Sequence, residues 1–200
     1  MKKLLGILVL GLFLITPSQA EDIRDFEIEG MSIGDSLLDY FSEKKIIDLK
    51  NSYPDNGYIY KSRSFYSLTF WNIAKFEKYD GVQLNLKDDD KNYIIYAING
   101  LNNHKDIEKC YSMFDSIEEE FDIIFKNSQK VNKDKRSHVY DDTGESTTTD
   151  VYYYFDDGSY VAIVCTDWSD DINKSNSWSD TFRVELGTIE IVNFLKNEAY

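Results

Sequence analysis

Ser32 and Ser36 stand in the run Gly30-Met31-Ser32-Ile33-Gly34-Asp35-Ser36-Leu37, where Gly-x-Ser-x-Gly overlaps Gly-Asp-Ser-Leu. A serine on a sharp strand-to-helix turn exposes its hydroxyl for nucleophilic attack. That chemistry also needs a histidine to take the proton and donors to hold the oxyanion. Two histidines are available, His104 and His138. The same residues have a structural reading: Asp35 or Ser36 caps a helix that starts at Leu37-Leu38.

The two cysteines, Cys110 and Cys165, are expected to pair. Cys110 falls on the apolar stripe of a helical pattern, and Cys165 shares strand parity with Val161 and Ile163, so both thiols point into a helix–sheet core. Closing a loop of about 55 residues removes roughly 4 kcal/mol of denatured-state freedom. Acidic turns are the remaining chemistry. Asp88-Asp89-Asp90-Lys91-Asn92 has the carboxylate spacing that opens an EF-hand loop, but Tyr93 stands where the turn needs Gly and Asn99 where it needs Glu. Asp167, Asp170 and Asp171 cluster near Trp168. Both read as solvated turns, and two isolated histidines make no zinc site. No metal site and no cofactor are expected.

The elements that must position these groups follow from periodicity. Asp25 to Glu29 alternates like a short strand, and Asp35 to Ile46 reads as a first helix. Residues 51–58 mark a loop. Phe65 to Phe76 is dense in aromatic and β-branched residues; Val82, Leu84 and Leu86 alternate, and Tyr93 to Ile98 is a further apolar run. From Asp106 to Lys126, Ile107, Cys110, Phe114, Ile117, Phe121 and Ile124 recur at steps of three and four, an amphipathic helix. Residues 127–150 read as a long polar loop whose basic residues, Lys130 to Arg136, offset acidic neighbours. Asp157-Gly158 signals a hairpin between Val151–Phe155 and Tyr160–Cys165. Phe182, Val184 and Leu186 form a last strand, and Thr188 to Leu195 a short helix with Ile189, Val192 and Leu195 facing in. The expected fold is α+β: an antiparallel sheet with one long amphipathic helix and shorter helices packed on it. The hairpins at 82–101 and 151–168 both have acidic turns, which raises a repeat of two similar helix-plus-strands halves.

The Gly-Asp-Ser-Leu stretch resembles the first block of the GDSL/SGNH esterases. That resemblance implies a serine nucleophile at Ser36 or Ser32, with Asn102 in Gly100-Leu101-Asn102 matching the oxyanion block. The family's Asp-x-x-His would need Asp at 101 or 135, where Leu101 and Lys135 stand. Gly30-Met31-Ser32 with the following helix also resembles the opening of SmpA/OmlA-type envelope proteins and the related β-lactamase-inhibitor-like fold. It implies a short helix, then antiparallel strands, and an envelope partner. The chain also looks like uncharacterised small exported bacterial proteins.

Export is read from residues 1–20. Lys2 and Lys3 precede an apolar run of twelve residues, Leu4 to Ile15, and Ser18-Gln19-Ala20 offers a cleavage site before Glu21. The run is too short to span a bilayer, which takes about 20 residues, and no later stretch is longer. Losing Lys2 and Lys3 takes the formal net charge from −14 to −16, which excludes general affinity for nucleic acid or anionic lipid. The expectation is a signal peptide at 1–20 and a single α+β domain at 21–200, in the periplasm or secreted. It is a non-enzymatic binding or envelope-interaction module whose partner is an envelope protein or a small ligand, with the serine esterase as the alternative.

Overall fold

Residues 22–176 and 178–199 are described by the structure, a computed structural model; the signal peptide expected at 1–20 lies outside them. The described chain opens with a short hairpin, β1 (Glu27–Ile28) and β2 (Met31–Ser32), turned by Glu29 and Gly30 at φ 54° and 75°. Two successive left-handed residues match the twist of a tight hairpin. After a 3-10 turn at Leu37–Asp39 and helix α1 (Glu43–Ser52) come β3 (Phe65–Trp71), β4 (Gly81–Lys87) and β5 (Ala97–His104). Helix α2 (Ile107–Ile124) leads to β6 (Gln129–Ser137), β7 (Thr147–Tyr154) and β8 (Tyr160–Asp167). Helix α3 (Asp170–Asn176), β9 (Asp180–Gly187) and α4 (Ile189–Asn197) complete the order.

The fold is α+β, with α2 packed on a seven-stranded antiparallel sheet of order β3-β4-β5-β9-β8-β7-β6. Two meanders meet at β5 and β9. Each enters at a sheet edge after a helix and ends at the centre, but one has three strands and the other four.

Period-two alternation gives the sheet two different faces. One carries Leu68, Phe70, Leu84, Ile163, Phe182 and Val184, all buried, and receives Cys110, Phe114 and Phe121 from α2. Burying each such side chain contributes about 1.5–3 kcal/mol. The Cys110–Cys165 disulfide, spanning 55 residues, ties α2 to β8 within this layer, as expected from parity. The N-terminal segment packs on the same face, with Phe41 stacked on Phe70 at 4.1 Å between ring centroids. The opposite face is covered at one end only by α4, whose Ile191 and Phe194 meet Phe65, Ala97, Tyr160 and Ala162.

Five local expectations are corrected. The helix expected over Asp35–Ile46 is split, because Asp35 and Ser36 are held extended: Ile95 N donates to Asp35 O, Ser36 pairs with Ile94, and Leu37 N donates to Tyr93 O. A second cap, Ser42, then starts α1. That pairing also pulls Ile94 and Ile95 out of β5, which begins at Ala97. The polar stretch 127–150 contains a nine-residue strand, β6. Lys130, Lys135 and Arg136 mark it as a sheet edge, where charged side chains discourage further pairing. In α4 the buried stripe is Ile191 and Phe194, whereas Ile189, Val192 and Leu195 are half-buried. Finally, Asp170 and Asp171 open the short helix α3 instead of sitting in a turn.

Candidate binding site on the open sheet face

Cross-strand register fixes what the face opposite α2 presents. One row across the sheet reads Thr69, Gln83, Asn99, Glu185, Ala162 and Tyr152. The next reads Trp71, Gly81, Leu101, Arg183, Val164 and Asp150. Asn99 Nδ2 donates to Gln83 Oε1 at 3.1 Å, and Gln83 Nε2 donates to Thr69 Oγ1 at 3.3 Å. A chain of side-chain amides therefore crosses three strands. Such groups stand on a sheet face only when hydrogen-bonded or wet.

Two adjoining cavities of about 440 and 580 Å³ lie over these rows and share Gln83 and Arg183. They fall in the size range of small-ligand pockets, about 300–1,000 Å³. The first is bounded by α4, by Tyr60 and by residues 136–140, at the end of β6 and just beyond it. The second is lined by Trp71, Trp168 and Trp178, all three tryptophans of the chain. Trp168 and Trp178 lie 4.6 Å apart between centroids, and His138 continues the wall 4.2 Å from Trp168, with Tyr140 beyond it. Trp71 lies across Gly81: a Cβ there would meet its Cε3 at 2.4 Å.

Exposure of apolar surface is concentrated here. Of the eight large apolar side chains exposed among the described residues, Ile59, Trp71, Val139, Tyr140 and Trp178 line these two cavities. Scattered exposed apolar residues need no explanation, but a gathered set marks a binding surface.

The charges on this face are matched internally. Arg183 Nε sits 3.2 Å from Glu185 Oε1, as a charge contact off the line of a hydrogen bond. Arg136 Nη1 sits 2.5 Å from the buried carboxylate of Asp150. Burial, followed by Arg183 and Arg136, pushes His138 down to about 4, so its ring is neutral at neutral pH. The wall that carries His138 is braced by Asp141. Its carboxylate accepts from the Thr143 and Ser146 backbone amides and hydroxyls, and these hold it well below the usual carboxylate range.

The residues singled out from sequence lie elsewhere. Ser32 Oγ donates to Phe26 O at 3.0 Å. Ser36 Oγ donates to Asn92 O at 2.6 Å and accepts from Leu38 N, capping the 3-10 turn. Asn102 accepts from Asp80 N and donates to Lys78 O, clamping the β3–β4 connection. The Glu29 carboxylate clamps the same connection, accepting from the amides of Glu77, Lys78 and Tyr79. No hydrogen bond joins either serine to either histidine among the described residues: His104 pairs in register with Asp180, and His138 Nδ1 accepts from Tyr140 N. Asp88 pairs with Lys50, Asp90 caps its own turn, Asp167 meets Lys135, and Asp170 meets Lys174. Among the described residues no group of three or more His, Cys, Asp or Glu side chains could hold a metal ion. In β6, Lys130 sits on Glu118 and Asp122, Lys135 on Asp167 and Arg136 on Asp150.

Sequence reasoning did not select this face. Its available signal was the pairing of amides with aromatics at outward strand positions, Gln83, Asn85 and Asn99 against Trp71, which residue-type abundance masked. Comparison with known proteins finds no matching family model, no matching curated protein and no matching solved structure.

Proposed function

We propose that this chain is a non-enzymatic binding module, exported to the periplasm or the medium, whose small ligand seats on the open face of the sheet. One observation carries the reading: all three tryptophans and most of the exposed apolar side chains gather over a row of ordered amides, on the face that α2 leaves bare. A pocket with aromatic walls and a few convergent polar groups is the usual form of a ligand site. The buried Cys110–Cys165 disulfide supports an oxidising compartment. No helix among the described residues is long and apolar enough to cross a membrane. The serine esterase has less support, because the hydroxyls of Ser32 and Ser36 are spent on backbone carbonyls.

Intrinsic fluorescence tests this directly, since every emitting indole lines the site. A desalted small-molecule extract of bacterial envelopes should shift the emission saturably, and Trp178→Ala should abolish most of the shift. An extract without effect, or an effect that survives Trp178→Ala and Trp71→Ala together, would contradict the reading. Turnover of short p-nitrophenyl esters that disappears in Ser36→Ala would replace it with the esterase.

A further inference from the structure

The site has an order of polarity that selects among ligands. Its floor is polar and hydrogen-bonded, and its rim is aromatic and exposed, with Trp71 and Trp178 each 43% accessible. A protein-binding surface has the reverse order, an apolar centre inside a polar rim. From this geometry we propose that the ligand is an uncharged carbohydrate, a neutral oligosaccharide lying along the trough. The proposal rests on the binding-site reading above and names the class of ligand for it.

Three features of the trough match a sugar. The first is the floor. A sugar hydroxyl both donates and accepts, and a side-chain amide offers a carbonyl beside an NH₂ group. In the chain from Asn99 through Gln83 to Thr69, each amide uses one N–H for its neighbour, which fixes its orientation and keeps a second N–H for a ligand. Arg183, where the two cavities join, and Glu185 beside it in the first cavity add a fork of donors and a pair of acceptors that suit adjacent hydroxyls.

The second is charge. Arg183 is matched by Glu185 and Arg136 by Asp150, so these pairs add no net charge to the face. Anions also meet a chain of formal charge −14. A phosphorylated or acidic ligand finds no unmatched cation on the floor.

The third is the rim. A pyranose ring has a C–H-rich face that stacks on a flat aromatic, and indole is the largest flat apolar surface among the side chains. Trp71 is laid flat by the absence of a side chain at Gly81, whose backbone is an ordinary strand that tolerates Ala. Gly81 is thus a positioning residue for the indole.

The test uses the mature chain in calorimetric titrations against neutral oligosaccharides of the glucose, N-acetylglucosamine and galactose series. Uronic-acid and sulfated oligosaccharides and a mixture of unmodified short peptides form the other arms. Variants are Trp178→Ala, Gln83→Ala and Gly81→Ala, with Ile123→Ala on exposed α2 surface as the control, each checked for native circular dichroism and an intact disulfide. The expected result is saturable binding of one neutral series, weakened roughly tenfold or more, about 1.4 kcal/mol, in Trp178→Ala and Gln83→Ala. Gly81→Ala should also weaken it, by lifting Trp71, and Ile123→Ala should leave it unchanged. Binding of peptides or anionic oligosaccharides instead, lost in the same variants, overturns the carbohydrate and keeps the site. Neutral-sugar binding indifferent to Trp178→Ala and Gln83→Ala overturns both. Absence of saturable binding in every neutral series overturns the carbohydrate.

Discussion

Breaking the Cys110–Cys165 bond measures how far α2 depends on its tie to β8. Both sulfurs are buried, and the bond closes a loop of 55 residues. In the chain-entropy treatment that closure removes about 14 cal/mol/K from the denatured state, or about 4 kcal/mol at 25 °C. Against a typical domain stability of about 5–15 kcal/mol, this is a large share. The double variant Cys110→Ala/Cys165→Ala also deletes two buried sulfurs, which adds about 1 kcal/mol each at methylene scale. Reduction without substitution isolates the cross-link. Urea unfolding followed by far-ultraviolet circular dichroism should place the reduced protein about 4 kcal/mol below the oxidised one, and the double variant lower still. The urea dependence should steepen once the bond is gone, because the uncrosslinked denatured chain exposes more surface. Two freely alkylated thiols in native protein would refute the pairing. A loss under about 1 kcal/mol with an unchanged slope would refute the loop-closure argument.

Other perturbations have equally definite outcomes. Glu29→Ala removes three charge-assisted acceptor contacts to residues 77–79 and should lower stability by about 2 kcal/mol while speeding amide exchange at those residues; unchanged exchange would contradict the clamp. His138 is held neutral by burial and the two arginines, so its ring should titrate in NMR near 4. The folded state then binds fewer protons than the unfolded one between about 4 and 6.5, so this group lowers stability as the pH falls through that window. A midpoint at or above 6.5 would show the ring to be solvated. Ser32→Ala and Ser36→Ala should each change stability by no more than about 2 kcal/mol and create or remove no ester turnover, as expected of a turn contact and a cap.

Elements with a strong period were legible in the sequence, and those set by distant pairing were not. The six apolar residues from Ile107 to Ile124 specify α2, and the parity of Cys165 with Val161 and Ile163 orients its thiol, because both signals are local. The Asp157-Gly158 turn likewise fixed the β7–β8 hairpin, where Gly158 takes φ 83°. Asp35 and Ser36 were misread as helix because their partners, Ile95 and Ile94, are remote in sequence. The edge strand β6 was missed because edge strands wear the composition of loops. The site was hidden for a related reason. Gln83, Asn99 and Glu185 become one row only when β4, β5 and β9 are in register, and Trp168 and Trp178 meet only when α3 brings them back together. The Gly-x-Ser-x-Gly string, by contrast, is conspicuous in sequence, yet it supplies a turn and a cap.

The most direct measurement of where the ligand binds uses the indoles themselves. Uniformly ¹⁵N-labelled protein should give resolved indole N–H signals for Trp71, Trp168 and Trp178, which line one cavity, alongside its backbone amides. Titration with the neutral oligosaccharide series should move these signals together to saturation. The account predicts that backbone amides of α2 and of residues 32–36 stay in place. Shifts confined to α2 or to the Ser32–Ser36 turn, with the three indoles unmoved, would contradict it.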